Sequence, residues 1–371
     1  MSAAGDDRPP PSPPSPPSPD PRDDGTVALE LNDAGLLVVG AAGPLAPPSP
    51  GYAAVDGDRL LTGLAARRRA RLAPRRAHHR FWHRLDDTPL PRPFPRRWTH
   101  ADLVHRHLAD LRVEAAAEPE RVVALVGGDR EHDELARLLG IAAAAGWPIV
   151  GLVDTAVALA ATAAAALPSR GIKVETIWHL DLGLHKTVAT EVSVTSDVAR
   201  RRVAVADVGL VELERSWARL FAHRLVRATR YDPLHSAAGE QHLYDAMDGW
   251  LAKLREADLV VASLAAAGRE HGVEIARDEV VAAASDAYQQ IAALLPQDLD
   301  PSSSRLLLGP RAAALPGLAD TLAPIPIAVA AVERSAGMAA RGALAARDLI
   351  PDSGDDPSFV VRLPRRERGA A

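Results

Sequence analysis

Two periods of apolar spacing alternate along the chain, and together they lay out a fold. In IWHLDLGLHKTVATEVSV, Ile177 to Leu182 is a short apolar run carrying Asp181 near its end, and Gly183 opens a turn. After Thr187, the residues Val188, Thr190, Val192 and Val194 alternate with Ala189, Glu191 and Ser193. This predicts a strand, a tight turn at a residue free of Cβ, and a half-buried strand. VALELNDAGLLVV, Val27 to Val39, repeats the plan: Glu30 ends the first strand, and Asn32, Asp33, Ala34 and Gly35 form the turn. A third short strand is expected near Leu60.

Beyond each hairpin the period lengthens. RVVALVGG from Arg121 reads as a buried strand, and Glu131 to Gly146 as a helix with acids in its first turn and glycine at its end. PIVGLVD is a second strand, and Thr155 to Leu167 an alanine-rich helix. In the second half, VAVADVG follows the hairpin. A long helical stretch then runs from Val211 to about Ala267, broken near Asp232-Pro233 and stopped by Gly268. HGVEIARDEVV predicts a strand and a helix; SSRLLLG, AAALPGLADTL, IPIAVA and Gly337 to Asp348 continue as strand, helix, strand, helix. Each half is thus an acid-ended hairpin followed by strand-helix-strand-helix. The expected class is α/β: duplicated βββαβα lobes whose two turns meet in an interlobe cleft.

Composition narrows the picture. The chain has 371 residues, enough for two cored lobes, with 47% apolar residues and 4% aromatic. No cysteine is present, which removes disulfides, thiolate metal sites and a cysteine nucleophile, and fits a cytoplasmic, reducing compartment. No run is long and apolar enough for a membrane span, and no secretory signal is evident. Residues 1–24 are proline-dense, expected to be a solvated polyproline-II-like tether, or a segment docking a proline-reading partner. Residues 350–371 read as a second disordered tail in which Phe359 to Leu363 could tack down locally. A net charge of −5 gives no global attraction to nucleic acid. The exception is local: no acid lies between Asp58 and Asp86, while Arg67, Arg68, Arg69, Arg71, Arg75, Arg76, Arg80 and Arg84 do. The Arg67–Arg84 patch faces a polyanion, or is a solvated face. His79 and His83 have the spacing of a helical metal pair but lack a third ligand nearby.

An acid at a strand end, a glycine and a hydroxyl, as at Asp181, Gly183 and Thr187, can hold a phosphate and its magnesium; an ordinary hairpin carries the same residues. The order of elements around this stretch resembles the actin-like (ribonuclease H-like) ATPase superfamily. It is most similar to the nucleotide-binding domain of heat shock protein 70 chaperones, over about residues 26–349. VALELNDAG stands at that family's first phosphate loop, HLDLGLHKT at its second, and LLLGPRAAALPGL at its adenosine motif through Gly309, Arg311, Pro316 and Gly317.

The resemblance implies a first lobe over 25–172 and a second over 173–335 with a helical insertion at about 211–300. A terminal helix, 336–349, would pack back on the first lobe. It implies ATP and magnesium as cofactors. Glu30 and Asp181 would hold the metal through water, Asp154 and Asp181 would be catalytic, and Asn32, Asp33, Gly35, Gly183, Lys186, Thr187, Gly309 and Arg311 would line the nucleotide. The departures imply erosion. Glu30 replaces an aspartate, Asn32 a glycine, and Asp33 and Ala34 two threonines. Leu184 and His185 stand where glycines should be, Pro310 removes a backbone donor, and the catalytic lysine has no counterpart. The resemblance does not extend to a client-binding domain, so peptide chaperoning by that family's route is not expected. Three readings follow: a regulatory or scaffold protein with weak or lost ATP turnover, serving an unknown protein partner; a working ATP-dependent switch; and a polyanion binder.

Overall fold

The computed structural model describes residues 25–95, 97–166, 174–330, 337–350 and 358–364. The proline-dense segment 1–24 and most of 350–371 lie outside them.

The chain is a mixed α/β protein. Its first six-stranded sheet runs, edge to edge, Phe359–Val360, Ile149–Asp154, Arg121–Val126, Thr26–Glu30, Leu37–Gly40 and Gly43–Pro44. Its second runs Ala328–Ala330, Ser304–Leu308, Thr176–Leu182, Thr187–Val194, Asp197–Ala206 and Arg362–Pro364. In each, the first strand of a hairpin is central. It pairs antiparallel with its hairpin partner and parallel with a later strand on its other side. Leaving out the two C-terminal edge strands, both sheets run fifth, fourth, first, second, third in their own chain order.

Two helices fill the space between the sheets. Thr155–Ala166 and Met338–Ala345 share one core with Ala28, Leu37, Val39, Val123 and Leu125 of the first sheet and Ile177, Val192, Val194 and Leu307 of the second. A helix apolar all round belongs in such a place. Alanine and glycine let the two approach: a Cβ on Gly342 would stand 2.1 Å from the Thr162 hydroxyl and 2.7 Å from the Ala158 carbonyl. The outer face of the second sheet carries Leu210–Thr229 and Ala237–Lys253, which bury Trp217, Phe221, Leu243 and Met247.

Three elements differ from expectation. The strand near Leu60 forms, as Arg59–Thr62, but it pairs with Ala53–Asp56 in a separate three-stranded sheet. The Asp56-Gly57-Asp58 turn, with Gly57 at φ +60°, closes that local hairpin, and Gly43–Pro44 becomes the main sheet's third strand. The helical stretch ends at Lys253; Leu259–Ala266 and Arg269–Ala276 form a hairpin. Ala267 and Gly268, at φ +50° and +72°, make its two-residue turn, so Gly268 stops no helix. Val260, Ala262 and Leu264 face inward and Leu259 and Val261 outward, a period of two hidden by the alanines. Finally, Phe359–Val360 joins the first sheet beside Leu152–Val153, and Arg362–Pro364 joins the second beside Asp197–Ala199. Among the described residues, no helix is long and apolar enough to cross a membrane.

Candidate functional site

Each hairpin delivers its acid to the same end of its sheet, because Glu30 pairs with Leu37 and Asp181 with Val188 at the turn end of each ladder. The two turns meet. The Asn32 side-chain amide donates to the Asp181 carboxylate at 2.8 Å and to the Leu182 carbonyl at 3.2 Å, while its oxygen accepts the Ala34 N–H. The Asp33 carboxylate accepts the Leu184 backbone N–H at 2.7 Å. Gly183 therefore serves a close approach. Its φ is not positive, contrary to the expected turn conformation, but a Cβ there would stand 2.7 Å from the Asp33 carboxylate.

Arg311 comes from the short helix Pro310–Ala313 at the end of the Ser304–Leu308 strand. Its side chain turns into the gap, not toward an adenosine. Nη1 stands 3.5 Å from Glu30 and 4.0 Å from Asp181, and Nη2 donates to the Gly35 carbonyl. Nη1 is buried and makes no hydrogen bond, so its contribution is charge opposite two carboxylates. Gly35 and Gly309 line the same gap. A Cβ on Gly35 would reach 3.0 Å from Pro48 and 3.3 Å from Arg311, and one on Gly309 3.4 Å from Asp181.

The remaining residues are engaged by other partners. The Thr187 hydroxyl, expected on a phosphate, is buried and donates to the Val208 carbonyl at 2.7 Å. Lys186 pairs with Asp129. Asp154, expected to be catalytic, is fully buried. It caps the Thr155–Ala166 helix by accepting the N–H groups of Ala156 and Val157, and it accepts from Arg200 at 3.0 Å. Burial pushes its carboxyl above the usual carboxylate range, with Arg200 pulling the other way. Leu184 and His185 also leave the gap. Leu184 packs among Tyr52, Ala54, Ala66, Ala70 and Val211, and the His185 ring stacks on His79. Trp82 is buried and donates to His107.

A cavity of about 30 Å³ remains between the turns, lined by Asn32, Asp33, Asp129, Arg130, Asp181 and Lys186. That space suits a water; a nucleotide pocket needs roughly 300 Å³ or more. The residues present do not fit magnesium and a triphosphate in this arrangement: a guanidinium stands between the two acids, and a carboxylate holds the turn N–H. A larger pocket of about 520 Å³ is bounded by Arg255, Glu256, Arg277, Pro310, Pro316 and Asp320.

Elsewhere between the two halves, Arg67 makes two hydrogen bonds to Asp248, at 2.7 and 3.0 Å, and one to the buried Glu214 at 2.8 Å. Arg71 lies 3.9 Å over the Tyr244 ring and 3.7 Å from Glu240, and Arg69 pairs with Asp56. The basic patch is therefore divided. Arg67 and Arg71 clamp the helices of the second half, while Arg68, Arg75, Arg76, Arg80 and Arg84 are exposed.

No protein-family model matches the chain, and no curated protein matches its sequence.

Arg200, Asp129 and the Arg67–Glu214–Asp248 clasp escaped the sequence reading. Arg200 opens an Arg-Arg-Arg run whose other two members are exposed, and nothing in the spacing distinguishes it. Asp129 follows the Gly127-Gly128 pair after a buried strand, a position that signals a turn and not a partner.

Proposed function

We propose that this chain is an actin-fold protein similar to heat shock protein 70 that has lost ATP turnover and acts as a regulatory or scaffold protein. The fold part rests on the strand order shared by the two six-stranded sheets and on the acid-bearing turns that face each other. The observation that carries the loss of turnover is Arg311, whose guanidinium stands between Glu30 and Asp181 where a metal would be needed. Asn32, Asp33 and the Arg67 clasp add links between the halves, so the body is closed by its own side chains. A rigid closed body suits holding a partner better than a cycle of opening and closing.

Thermal shift with magnesium-ATP tests this reading. A ligand stabilises by RT ln(1 + [L]/Kd), so millimolar magnesium-ATP should move the midpoint by less than about one degree. A clear rise that Asp181→Ala abolishes would overturn it. The pocket of about 520 Å³ favours a second reading, an ATP-binding switch, because its size suits a base and sugar. Under that reading Arg311→Ser should raise the magnesium-ATP response further by freeing the two carboxylates.

A further inference from the structure

His79 and His185 belong to different halves of the chain, 106 residues apart, and meet beside the second turn. Their rings stack at 4.9 Å between centroids and 16° between planes. His185 Nε2 lies 2.7 Å from the His79 carbonyl and 3.0 Å from His79 Nδ1. A carbonyl only accepts, so the Nε2 proton of His185 is directed at it. His79 Nδ1, facing that same N–H, must then carry a lone pair. The seam therefore requires His79 neutral with its proton on Nε2. A proton at Nδ1 would set two N–H groups head to head at 3.0 Å.

The surroundings oppose a charge there. His185, Arg71, His78, Arg80 and the Tyr52 ring face His79; Arg80 and His83 face His185, where the His79 carbonyl and Asp33 favour a cation. Burial, His185 and the neighbouring cations hold His79 down to about 3. What His185 anchors matters. Its neighbour Leu184 gives its N–H to Asp33 and its side chain to the Tyr52 cluster.

We propose that His79 and His185 form a proton-operated catch: uptake of a proton by His79 breaks the stacked pair and frees the second turn from the first half of the chain. An opened imidazole takes a proton near pH 6.5 and the closed one does not. Acidification to pH 5.5 therefore shifts the equilibrium toward the open seam by about tenfold. The catch opens the Leu184 side of the gap while the Arg311 side keeps its ion pairs.

Hydrogen exchange on the full chain tests it, at pH 7.5 and 5.5 with rates corrected for intrinsic pH dependence. Amides of Gly183–Lys186 and of residues 77–80 should exchange about tenfold faster at the lower pH over and above any change at Leu306–Leu308, whose buried strand reports global unfolding. His79→Asn, whose Oδ1 stands where Nδ1 does and accepts the same bond without taking a proton, should remove the acceleration. No acceleration, equal acceleration in His79→Asn, or acceleration spread evenly over the chain would each overturn the catch. Ring-nitrogen NMR of the unaltered protein is a second check: His79 must show the Nε2–H tautomer at pH 7.5, and the Nδ1–H tautomer would refute the geometry. A strong magnesium-ATP response would overturn the reading of the gap and leave the catch standing.

Discussion

The Asp33 carboxylate accepts the Leu184 backbone N–H at 2.7 Å across 151 residues of sequence. Under the proposed reading a phosphate oxygen in the gap would need that same N–H, so an acidic side chain holds the position an acidic ligand would take. The bond is charge-assisted and partly buried, and removing the acceptor strands a donor. Asp33→Ala should lower stability by about 1.5–3 kcal/mol, measured by urea denaturation. Asp33→Asn should cost less, because the amide oxygen still accepts.

Glu214 is buried and ion-paired with Arg67, whose guanidinium it shares with Asp248. Burial pushes the Glu214 carboxyl above its usual range, and Arg67, with a smaller pull from Arg71, draws it back. Arg67→Ala leaves that charge without its ion-pair partner and should cost about 3–5 kcal/mol at pH 7.5. The loss should shrink toward pH 5, as the orphaned carboxyl takes up a proton. Glu214→Gln added to Arg67→Ala should recover a good part of it at pH 7.5.

Acid should weaken the whole fold. Burial holds His78, His79 and His107 below the ordinary imidazole range, to about 4, 3 and 3. His107 accepts from Trp82 at one nitrogen and meets Ser49 at the other, so it is neutral by construction. Unfolded imidazoles bind a proton near pH 6.5 and these do not, so the unfolded chain binds more protons as pH falls. Their stabilisation is complete above about pH 6.5 and is lost below it. Fully buried His107 alone gives a slope of about 1.4 kcal/mol per pH unit in that window; half-exposed His78 gives less. Asp154 and Glu214, both raised, work in the opposite sense. Guanidine titrations at pH 7.5, 6.5 and 5.5 should show falling midpoints, with His107→Gln flattening the trend.

Two glycines should differ in a predictable order. A Cβ on Gly209 would lie 2.5 Å from the Leu184 carbonyl and the His185 amide, both backbone, whereas one on Gly183 meets the movable Asp33 carboxylate at 2.7 Å. Gly209→Ala should therefore destabilise more than Gly183→Ala. Equal losses in thermal melts would mean that the turn itself gives way in both.

How much of this was legible varies by element. The two hairpins with acids at their ends stand in the sequence as a period of two broken by turn residues, and Asn32 and Asp181 do come together. The direction taken by Arg311 was not legible. Its motif pointed to a base, but its rotamer crosses to Glu30 and Gly35, an arrangement fixed by the packing of residues 276 positions apart. Nor could Thr187 be told from a phosphate ligand, since a hydroxyl at a strand start bonds whatever carbonyl lies within reach, here Val208. Alanine blurred the rest: at Leu259–Ala266 it fits either period, and the choice falls to the partner strand and the turn.

The short ribbon from Phe359 to Pro364 lends one strand to each sheet with a single residue, Val361, between them. It follows every other strand of both sheets in the chain, so during synthesis it leaves the ribosome after them. Until then the two sheets are held to each other by the packing of their helices and by side-chain links such as Asn32–Asp181 and Arg200–Asp154. Registration of one half against the other is therefore completed late, and a protease cut before Phe359 should release a body whose halves hinge more freely.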